Sequence, residues 1–173
     1  MDFFKSLKKK IKNKKAKISV MGLGYVGLPV ACSLANKFNV VGFDTNKKRI
    51  SDLKRFKDCN NSISFQQLKK NKILFSHQQK QISNSEIFII TTPTPITKKQ
   101  KPDLKYIFKA LNFISKSNIK NKLIILESTV YPGASSNIFV KYLEKKTKLK
   151  INTDFYFGYS PERINPGDSK HKF

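Results

Sequence analysis

Short apolar runs alternate with segments of helical periodicity along most of the chain. Each run is continuous rather than alternating, as expected of strands that are buried on both faces of a parallel sheet. The predicted strands cover residues 18–21, 40–44, 73–75, 86–90, 123–126 and 155–159. Between them, apolar residues spaced three and four apart predict helices with one buried face. The clearest such pattern follows Gly27, and others begin near Asn46, Asp103 and Gly133.

This alternation predicts an α/β fold, namely a Rossmann-type doubly wound parallel sheet. The chain has 173 residues, which is the length of a single domain. We assign residues 1–16 to a basic N-terminal lead-in, residues 17–165 to the Rossmann domain and residues 166–173 to a flexible tail. Residues 58–81 are polar, and apart from the strand at 73–75 they predict no regular element.

Within the lead-in, Phe4, Leu7 and Ile11 recur at helical spacing with lysines between them. Two interpretations are open. The helix could lie on a membrane surface, held there by its lysines, or it could dock its apolar face on the domain. The apolar face is narrow, which favours docking.

The first predicted strand ends in Gly22-x-Gly24-x-x-Gly27, directly before the clearest helical pattern. Each glycine has its own physical role in a loop of this kind. Gly22 permits a tight turn, Gly24 lets a pyrophosphate approach the backbone, and Gly27 lets the helix pack close to the strand. The amide N–H groups and the dipole at the helix start favour an anion there. The pattern therefore predicts a dinucleotide-binding βαβ unit.

Polar side chains lie at the ends of two of the predicted strands. Asp44 stands at the carboxyl end of the second strand, about 20 residues beyond the glycine loop, where a ribose-binding acid belongs. A carboxylate there accepts hydrogen bonds from the adenosine ribose and repels a 2′-phosphate; the alternative is a helix N-cap in front of Asn46. Thr91, Thr92 and Thr94 follow the fourth strand. Because open α/β sheets bind ligands at the carboxyl ends of their strands, these threonines are candidates to face the cofactor.

The net charge is +24, from 35 lysine and arginine residues against 11 acidic ones. Such a balance is typical of proteins that bind nucleic acid or anionic membranes. Here the basic residues are almost all lysine, whereas sequence-specific readers of nucleic acid depend on arginine. We therefore expect no specific nucleic-acid partner, and we interpret the charge mainly as a solvated surface that also attracts an anionic nucleotide.

No apolar run reaches the roughly 20 residues of a membrane span, and no signal peptide is recognisable. Cys32 and Cys59 are the only cysteines, and their spacing matches neither a metal site nor a redox motif. We expect Cys32 to be a small core residue. These features predict a cytoplasmic protein without a bound metal.

Four segments, taken together, resemble those of the UDP-glucose/GDP-mannose dehydrogenase family. They are residues 22–29, 92–95, 127–133 and 160–167. The Pro-Thr-Pro of the second segment and the Ser-Pro-Glu-Arg-Ile-Asn-Pro-Gly of the fourth look most like the branch that acts on UDP-N-acetylhexosamines. The resemblance implies a UDP-sugar substrate whose C6 hydroxyl is oxidised to a carboxylate in two NAD-dependent steps, for surface polysaccharide synthesis. It also implies that full-length members are homo-oligomers.

The same resemblance implies which residues hold NAD. They are Gly22, Gly24, Tyr25, Val26, Gly27, Asp44, Arg49, Thr92 and Thr129. Backbone groups of Tyr25 and Val26 would contact the pyrophosphate, whereas Asp44 and Arg49 would hold the adenosine ribose. For Arg49, a solvated surface charge is the alternative.

Two residues carry implied catalytic roles. Thr129 would line the nicotinamide side together with Thr92 and help to hold a catalytic water. Glu162 would work beside the active-site thiol, either to position the substrate or as the base for thioester hydrolysis. A structural carboxylate that pairs with Arg163 is the alternative for Glu162.

The family's pattern extends beyond this sequence. Its members continue through a long helix into a second domain, which supplies a nucleophilic cysteine in the context Gly-Gly-x-Cys-x-Pro-Lys. Neither Cys32 nor Cys59 has that setting. The chain therefore resembles the N-terminal NAD-binding domain alone, truncated before the central helix and the C-terminal domain, as a fragment, a split gene product or a decayed one. We expect it to be inactive by itself, which leaves a binding-only NAD protein as the alternative function.

Overall fold

The computed structural model describes residues 3–161, with side chains from Phe4 onward. The strands are β1 (Lys17–Met21), β2 (Asn39–Phe43), β3 (Ile73–Ser76), β4 (Ile87–Ile90), β5 (Leu123–Leu126) and β6 (Tyr156–Tyr159). The helices are α1 (Phe3–Lys12), α2 (Gly27–Ala35), α3 (Lys47–Lys54), α4 (Phe65–Lys70), α5 (Lys105–Ser115) and α6 (Lys141–Thr147). A 3₁₀ turn, Gln79–Gln81, precedes β4, and a π-helical segment, Ser135–Val140, leads directly into α6.

The strands form a single six-stranded sheet in the order β3-β2-β1-β4-β5-β6, and every neighbouring pair is parallel. The predicted strands agree with the observed ones to within one residue at each end. The strands are continuously apolar because the sheet is covered on both faces: all four residues of the central strand β4 are buried.

Helices cover both faces of the sheet, and each face has its own hydrophobic core. One core contains Leu7 of α1, Leu28 of α2 and Ile50 of α3. The other contains Ile107 of α5 and Leu143 of α6. The chain changes face between β3 and β4, so the connections that leave the adjacent strands β1 and β4 run in opposite directions. This arrangement confirms the doubly wound α/β fold, and it places a crevice at the carboxyl ends of β1 and β4.

Helix α1 docks on the domain through Leu7, which joins the core, and through Phe4, whose ring centroid lies 5.8 Å from that of Tyr156 in β6. Leu7 is buried, whereas Phe4 and Ile11 are exposed. An ion pair secures the contact, because Lys10 Nζ lies 2.8 Å from Glu86 Oε1 at the start of β4. Of the apolar face that the sequence predicts for α1, only the turn from Phe4 to Leu7 packs on the domain.

Two helix starts differ from the prediction. Helix α4 has no predicted counterpart, although its capping box is visible in the sequence as Ser-x-x-Gln: Ser64 Oγ accepts from Gln67 N–H, and Gln67 Oε1 accepts from Ser64 N–H. Helix α5 begins at Lys105, and its N-cap position is Leu104 rather than Asp103. Asp103 still accepts a hydrogen bond from the Lys105 N–H, at 3.0 Å.

Among residues 3–161, no helix is long and apolar enough to cross a membrane. In the same range, no cluster of histidine, cysteine and acidic side chains could hold a metal ion. Glu162, Arg163 and the predicted tail at 166–173 lie outside the described residues.

Candidate dinucleotide site

A pocket of about 410 Å³ opens at the carboxyl ends of the central strands. Its walls come from the glycine loop, the end of β2, the start of α3, the turn at 59–60 and one side of α5. Its lining includes the apolar residues Met21, Phe43 and Phe113 and the charged residues Asp44 and Arg49. A pocket in this position is where an open α/β sheet binds its ligand.

The three glycines of the loop have three different environments. Gly22 adopts φ +99°, which a residue with a side chain rarely adopts. At Gly27, an added Cβ would overlap the Gly22 carbonyl oxygen and Thr91 Oγ1. At Gly24, an added Cβ would meet no heavy atom within 4 Å. The first glycine therefore makes the turn, the last permits close helix packing, and the middle one leaves open space beside the backbone.

Thr91 explains why the packing at Gly27 is so close. Its side chain is buried, and Thr91 Oγ1 donates to the Gly22 carbonyl oxygen at 2.7 Å. This bond ties the end of β4 to the glycine loop. Thr91 is not among the residues that line the pocket, and its hydroxyl fixes the glycine loop.

The Asp44 carboxylate supports the glycine loop from the end of β2. Asp44 Oδ2 accepts from the Leu23 N–H at 2.9 Å, and Oδ1 accepts from the Asn46 N–H at 2.8 Å. The N-cap of α3 is Asn46, whose side chain accepts from the Arg49 N–H at 3.1 Å. The N-cap interpretation of Asp44 is therefore wrong. Each carboxylate oxygen has a second lone pair, so Asp44 can still accept from a ligand hydroxyl.

Arg49 is buried, with only 7 % of its side chain exposed. The interpretation of Arg49 as a solvated surface charge is therefore wrong. Its Nε donates to the Leu23 carbonyl oxygen at 2.9 Å, and Nη1 pairs with Asp58 Oδ1 at 2.7 Å. Nη1 also lies 3.2 Å from Cys59 Sγ. Within the described residues, Nη2 is buried and has no hydrogen-bond partner. Both N–H donors of Nη2 are thus unpaired among the described residues.

Asp58, which sequence reasoning missed, neutralises this guanidinium and builds the turn beside it. Its carboxylate accepts from the Asn60 N–H, from the Ser62 N–H and hydroxyl, and from the Ile63 N–H, at 2.7–3.1 Å. Burial opposes the charged form, but the hydrogen bonds from Ser62 and Arg49 outweigh it and hold the pKa of the Asp58 carboxyl below its ordinary value. The Asp-x-Asn-Asn-Ser composition of residues 58–62 was the available signal for a side-chain-stabilised turn.

The remaining predicted residues lie further along the crevice. Thr92 lines the pocket, and its Oγ1 is buried without a partner among the described residues. Ser128 Oγ donates to the Thr92 carbonyl oxygen at 2.6 Å, and Thr94 Oγ1 donates to that of Thr129 at 2.8 Å. These bonds tie the end of β4 to the end of β5. Thr129 itself is exposed and lies outside the pocket lining.

Tyr25 and Val26 precede the first residue of α2. Tyr25 is 61 % exposed and Val26 is partly buried, and neither side chain lines the pocket. Their backbone lies at the amino end of the helix, where N–H groups and the helix dipole favour an anion.

The two thiols have opposite environments. Cys32 is buried in α2, and burial raises the pKa of its thiol to about 11, with a smaller contribution from Asp58. The prediction of a small core residue is thus confirmed. Cys59 is exposed and lines the pocket close to Arg49. Neither thiol forms a disulfide.

The parallel sheet, the glycine loop at its switch point and the acid that follows β2 define a Rossmann-type dinucleotide-binding domain. Residues 16–173 match the family model described as the UDP-glucose/GDP-mannose dehydrogenase family, NAD binding domain. The chain belongs to this family, and its cofactor is NAD.

Relatives of known name agree with this assignment. The chain is 45% identical over 156 residues to Protein CapL of Staphylococcus aureus, covering 90% of this chain and 37% of that protein. It is 44% identical over 160 residues to the UDP-N-acetyl-D-glucosamine 6-dehydrogenase of Pseudomonas aeruginosa, covering 92% of this chain and 38% of that enzyme. The chain therefore spans less than two fifths of the length of these relatives.

Solved structures share the fold. The NDP-N-acetyl-D-galactosaminuronic acid dehydrogenase of Methanosarcina mazei superposes with a TM-score of 0.82 at 26% identity, over 94% of this chain and 37% of the other. The UDP-D-ManNAc dehydrogenase of Pyrococcus horikoshii superposes with a TM-score of 0.78 at 31% identity, over 87% of this chain and 37% of the other.

Proposed function

We propose that this chain holds NAD for a nucleotide-sugar 6-dehydrogenase, which oxidises the C6 hydroxyl of a UDP-N-acetylhexosamine to a carboxylate. The observation that carries the proposal is the pocket at the switch point, in which Asp44 stands beside the glycine loop. The choice of substrate rests on the similarity to the Pseudomonas aeruginosa enzyme, whose name specifies UDP-N-acetyl-D-glucosamine.

The adenosine end of NAD lies against Asp44 and Arg49 in this proposal. The free lone pairs of Asp44 accept from the ribose hydroxyls, and its charge repels the 2′-phosphate of NADP. Arg49 lines the pocket, and the proposal assigns its Nη2, which is buried and unpaired among the described residues, to an acceptor on the ribose or the base. A buried donor without a partner destabilises the free protein, and a ligand that supplies the missing acceptor removes that cost.

The pyrophosphate lies over the glycine loop. Gly22 turns the backbone, Gly24 leaves the space that the phosphates need, and Gly27 brings the start of α2 close. In this arrangement, the backbone N–H groups of Tyr25 and Val26 and the positive end of the α2 dipole face the anion.

The nicotinamide end lies toward Thr92 and Thr129. The buried Oγ1 of Thr92 is a candidate to hold the nicotinamide side, and Thr129 is a candidate to hold a water at the sugar. Glu162, outside the described residues, is the candidate positioner or base in the second oxidation. NAD supplies the hydride acceptor, and the residues of this chain bind it and orient its nicotinamide face toward the sugar.

The second oxidation needs a thiol that captures the aldehyde. Cys32 is buried in the core, and Cys59 lies beside Arg49, in the part of the pocket that the proposal gives to the adenosine. A thiol from outside this chain is therefore part of the proposal. The same observation favours a second candidate, in which the chain taken alone binds NAD without catalysis. The cytoplasmic setting, the homo-oligomer and the absence of a specific nucleic-acid partner belong to the proposal as well.

A chimera tests the proposed activity. Residues 16–173 replace the matching N-terminal segment of the Pseudomonas aeruginosa relative, so that the chain is joined to a thiol-bearing remainder. We expect NADH formation with UDP-N-acetyl-D-glucosamine, and loss of most of it in the Asp44→Ala version of the same chimera. A folded chimera that binds NAD but reduces none of it with any UDP-N-acetylhexosamine would contradict the proposal.

A further inference from the structure

One side of helix α5 forms a wall of the dinucleotide pocket that the proposed function does not use. The residues that line it are Tyr106, Lys109, Ala110 and Phe113, which are three and four positions apart and so share one side of the helix. The ring of Phe113 packs against that of Phe43, with centroids 5.0 Å apart. The wall therefore stands beside the end of β2, where the proposal places the adenosine.

Of the lysines within the described part of the chain, only Lys109 lines this pocket. Its side chain is exposed, and among residues 4–161 it forms no ion pair. Lys105, one turn earlier on the same helix, differs in both respects. Its Nζ lies 2.9 Å from Asp103 Oδ2, and it is not part of the lining. Lys109 thus brings to the pocket wall a positive charge that no described carboxylate neutralises.

The other groups of the lining offer an anionic ligand no full counter-charge. Asp44 is negative, and Arg49 is neutralised by Asp58, 2.7 Å from its Nη1. The glycine loop and the start of α2 contribute N–H groups and a helix dipole, which carry only partial charges. A dinucleotide brings a diphosphate that is negatively charged at neutral pH. Within the described lining, Lys109 is therefore the full positive charge that is available to it.

We propose that Lys109 is a cofactor-binding residue, whose ammonium group pairs with the diphosphate of the bound dinucleotide. The flexible alkyl stem of lysine lets the ammonium group follow the phosphates. The same charge offsets that of Asp44, whose carboxylate suits the ribose but repels the phosphates. The inference rests on the proposed placement of NAD, and it adds a charged side chain of α5 to the backbone groups of the glycine loop.

Calorimetry on the whole chain compares NAD binding in the wild type, Lys109→Met and Lys105→Met. Methionine keeps an unbranched side chain that favours a helix, and it removes the charge. We expect Lys109→Met to weaken NAD binding about five- to tenfold, between the effects of an exposed ion pair and of a buried charge-assisted hydrogen bond.

Lys105→Met is the matched control, because it removes the same charge from the same helix outside the pocket. It reports the general field of a chain whose net charge is +24. At physiological salt this field is largely screened, so the control should weaken NAD binding less than about twofold. Both side chains are exposed, so both variants should unfold close to the urea concentration of the wild type.

Two further measurements identify the group that Lys109 contacts. ADP carries the adenosine and a diphosphate but no nicotinamide, and Lys109→Met should weaken its binding by the same factor as that of NAD. Raising NaCl from about 0.05 M to about 0.5 M should weaken NAD binding more in the wild type than in Lys109→Met, because salt screens the ion pair.

Equal losses of NAD affinity in Lys109→Met and Lys105→Met would overturn the inference, since the charge would then act only through the general field. An unchanged affinity for ADP in Lys109→Met would also overturn it, as would a difference from the wild type that does not depend on salt. A wild-type chain that binds no NAD would overturn the proposed placement of the cofactor, and this inference with it. NAD binding that depends on Asp44 but not on Lys109 would overturn this inference alone.

Discussion

Replacing Asp58 by alanine should destabilise the domain far more than its position in a polar loop suggests. The Asp58 side chain is 1 % exposed and pairs with Arg49, whose side chain is 7 % exposed. The variant leaves the guanidinium buried without its counter-charge. It also removes the acceptor for the N–H groups of Asn60, Ser62 and Ile63.

The expected cost can be estimated from the pair. Removing one partner of a buried ion pair costs about 3–5 kcal/mol, whereas the whole domain is held by about 5–15 kcal/mol. For a domain of this size, the loss corresponds to a fall in melting temperature of roughly 6–20 °C. Since Arg49 lines the pocket, NAD affinity should fall in the same variant.

Urea unfolding of wild type and variant measures the free energy directly. Asp52→Ala is the matched control, because Asp52 pairs with Arg55 at the surface, where the two side chains are 20 % and 63 % exposed. That exposed pair should contribute less than about 1 kcal/mol. A loss below about 1 kcal/mol in Asp58→Ala would refute the reasoning, since it would mean that the buried guanidinium does not need its carboxylate.

The effect should also depend on pH in a defined direction. The pKa of the Asp58 carboxyl is lowered in the folded state, so the stabilisation is complete above the unfolded pKa of about 4 and is lost as the pH falls through the lower folded value. The difference between wild type and Asp58→Ala should therefore be largest near neutral pH and shrink in acid. A difference that grows on acidification would contradict the assignment.

Three further predictions follow from the site and from the docked helix. Gly24→Ala should fold with wild-type stability but lose NAD binding, because its Cβ meets no protein atom yet fills the space beside the backbone; Gly27→Ala should unfold at lower urea, because its Cβ overlaps the Gly22 carbonyl oxygen. Lys10→Ala should speed amide hydrogen exchange in α1 with little change in the sheet, because it removes the donor to Glu86 and leaves the Glu86 carboxylate in place for the Lys17 N–H of β1. The chain alone, incubated with NAD and UDP-N-acetylglucosamine, should give no NADH by absorbance, and a steady rate that a cysteine substitution abolishes would contradict this expectation.

The sequence predicted most of the fold because buried parallel strands have a simple signature. The strands β1, β2, β4 and β5 are continuous apolar runs, and a parallel sheet with helices on both faces buries both sides of such runs. The glycine loop and Asp44 were predictable for a related reason, since their roles depend on local backbone geometry and spacing along the chain.

Arg49 and Asp58 show what the sequence could not supply. Arginine on a helix is usually solvated, and only the return of the chain to bring Asp58 beside it makes burial possible. The pairing of Thr91 with the glycine loop is likewise a contact between residues 69 positions apart. The placement of Cys59 in the pocket wall follows from the same turn, which has no hydrophobic periodicity to reveal it.

Binding of NAD and NADP to the purified chain, measured by calorimetry, tests the central claim most directly. The account predicts that NAD binds more tightly than NADP. It also predicts that Asp44→Ala weakens NAD binding by about 1–3 kcal/mol, the cost of an unmade hydrogen bond at the ribose, and that Asp44→Asn narrows the preference for NAD because the repelling charge is gone. Tighter binding of NADP, or NAD binding that is indifferent to Asp44, would contradict the account.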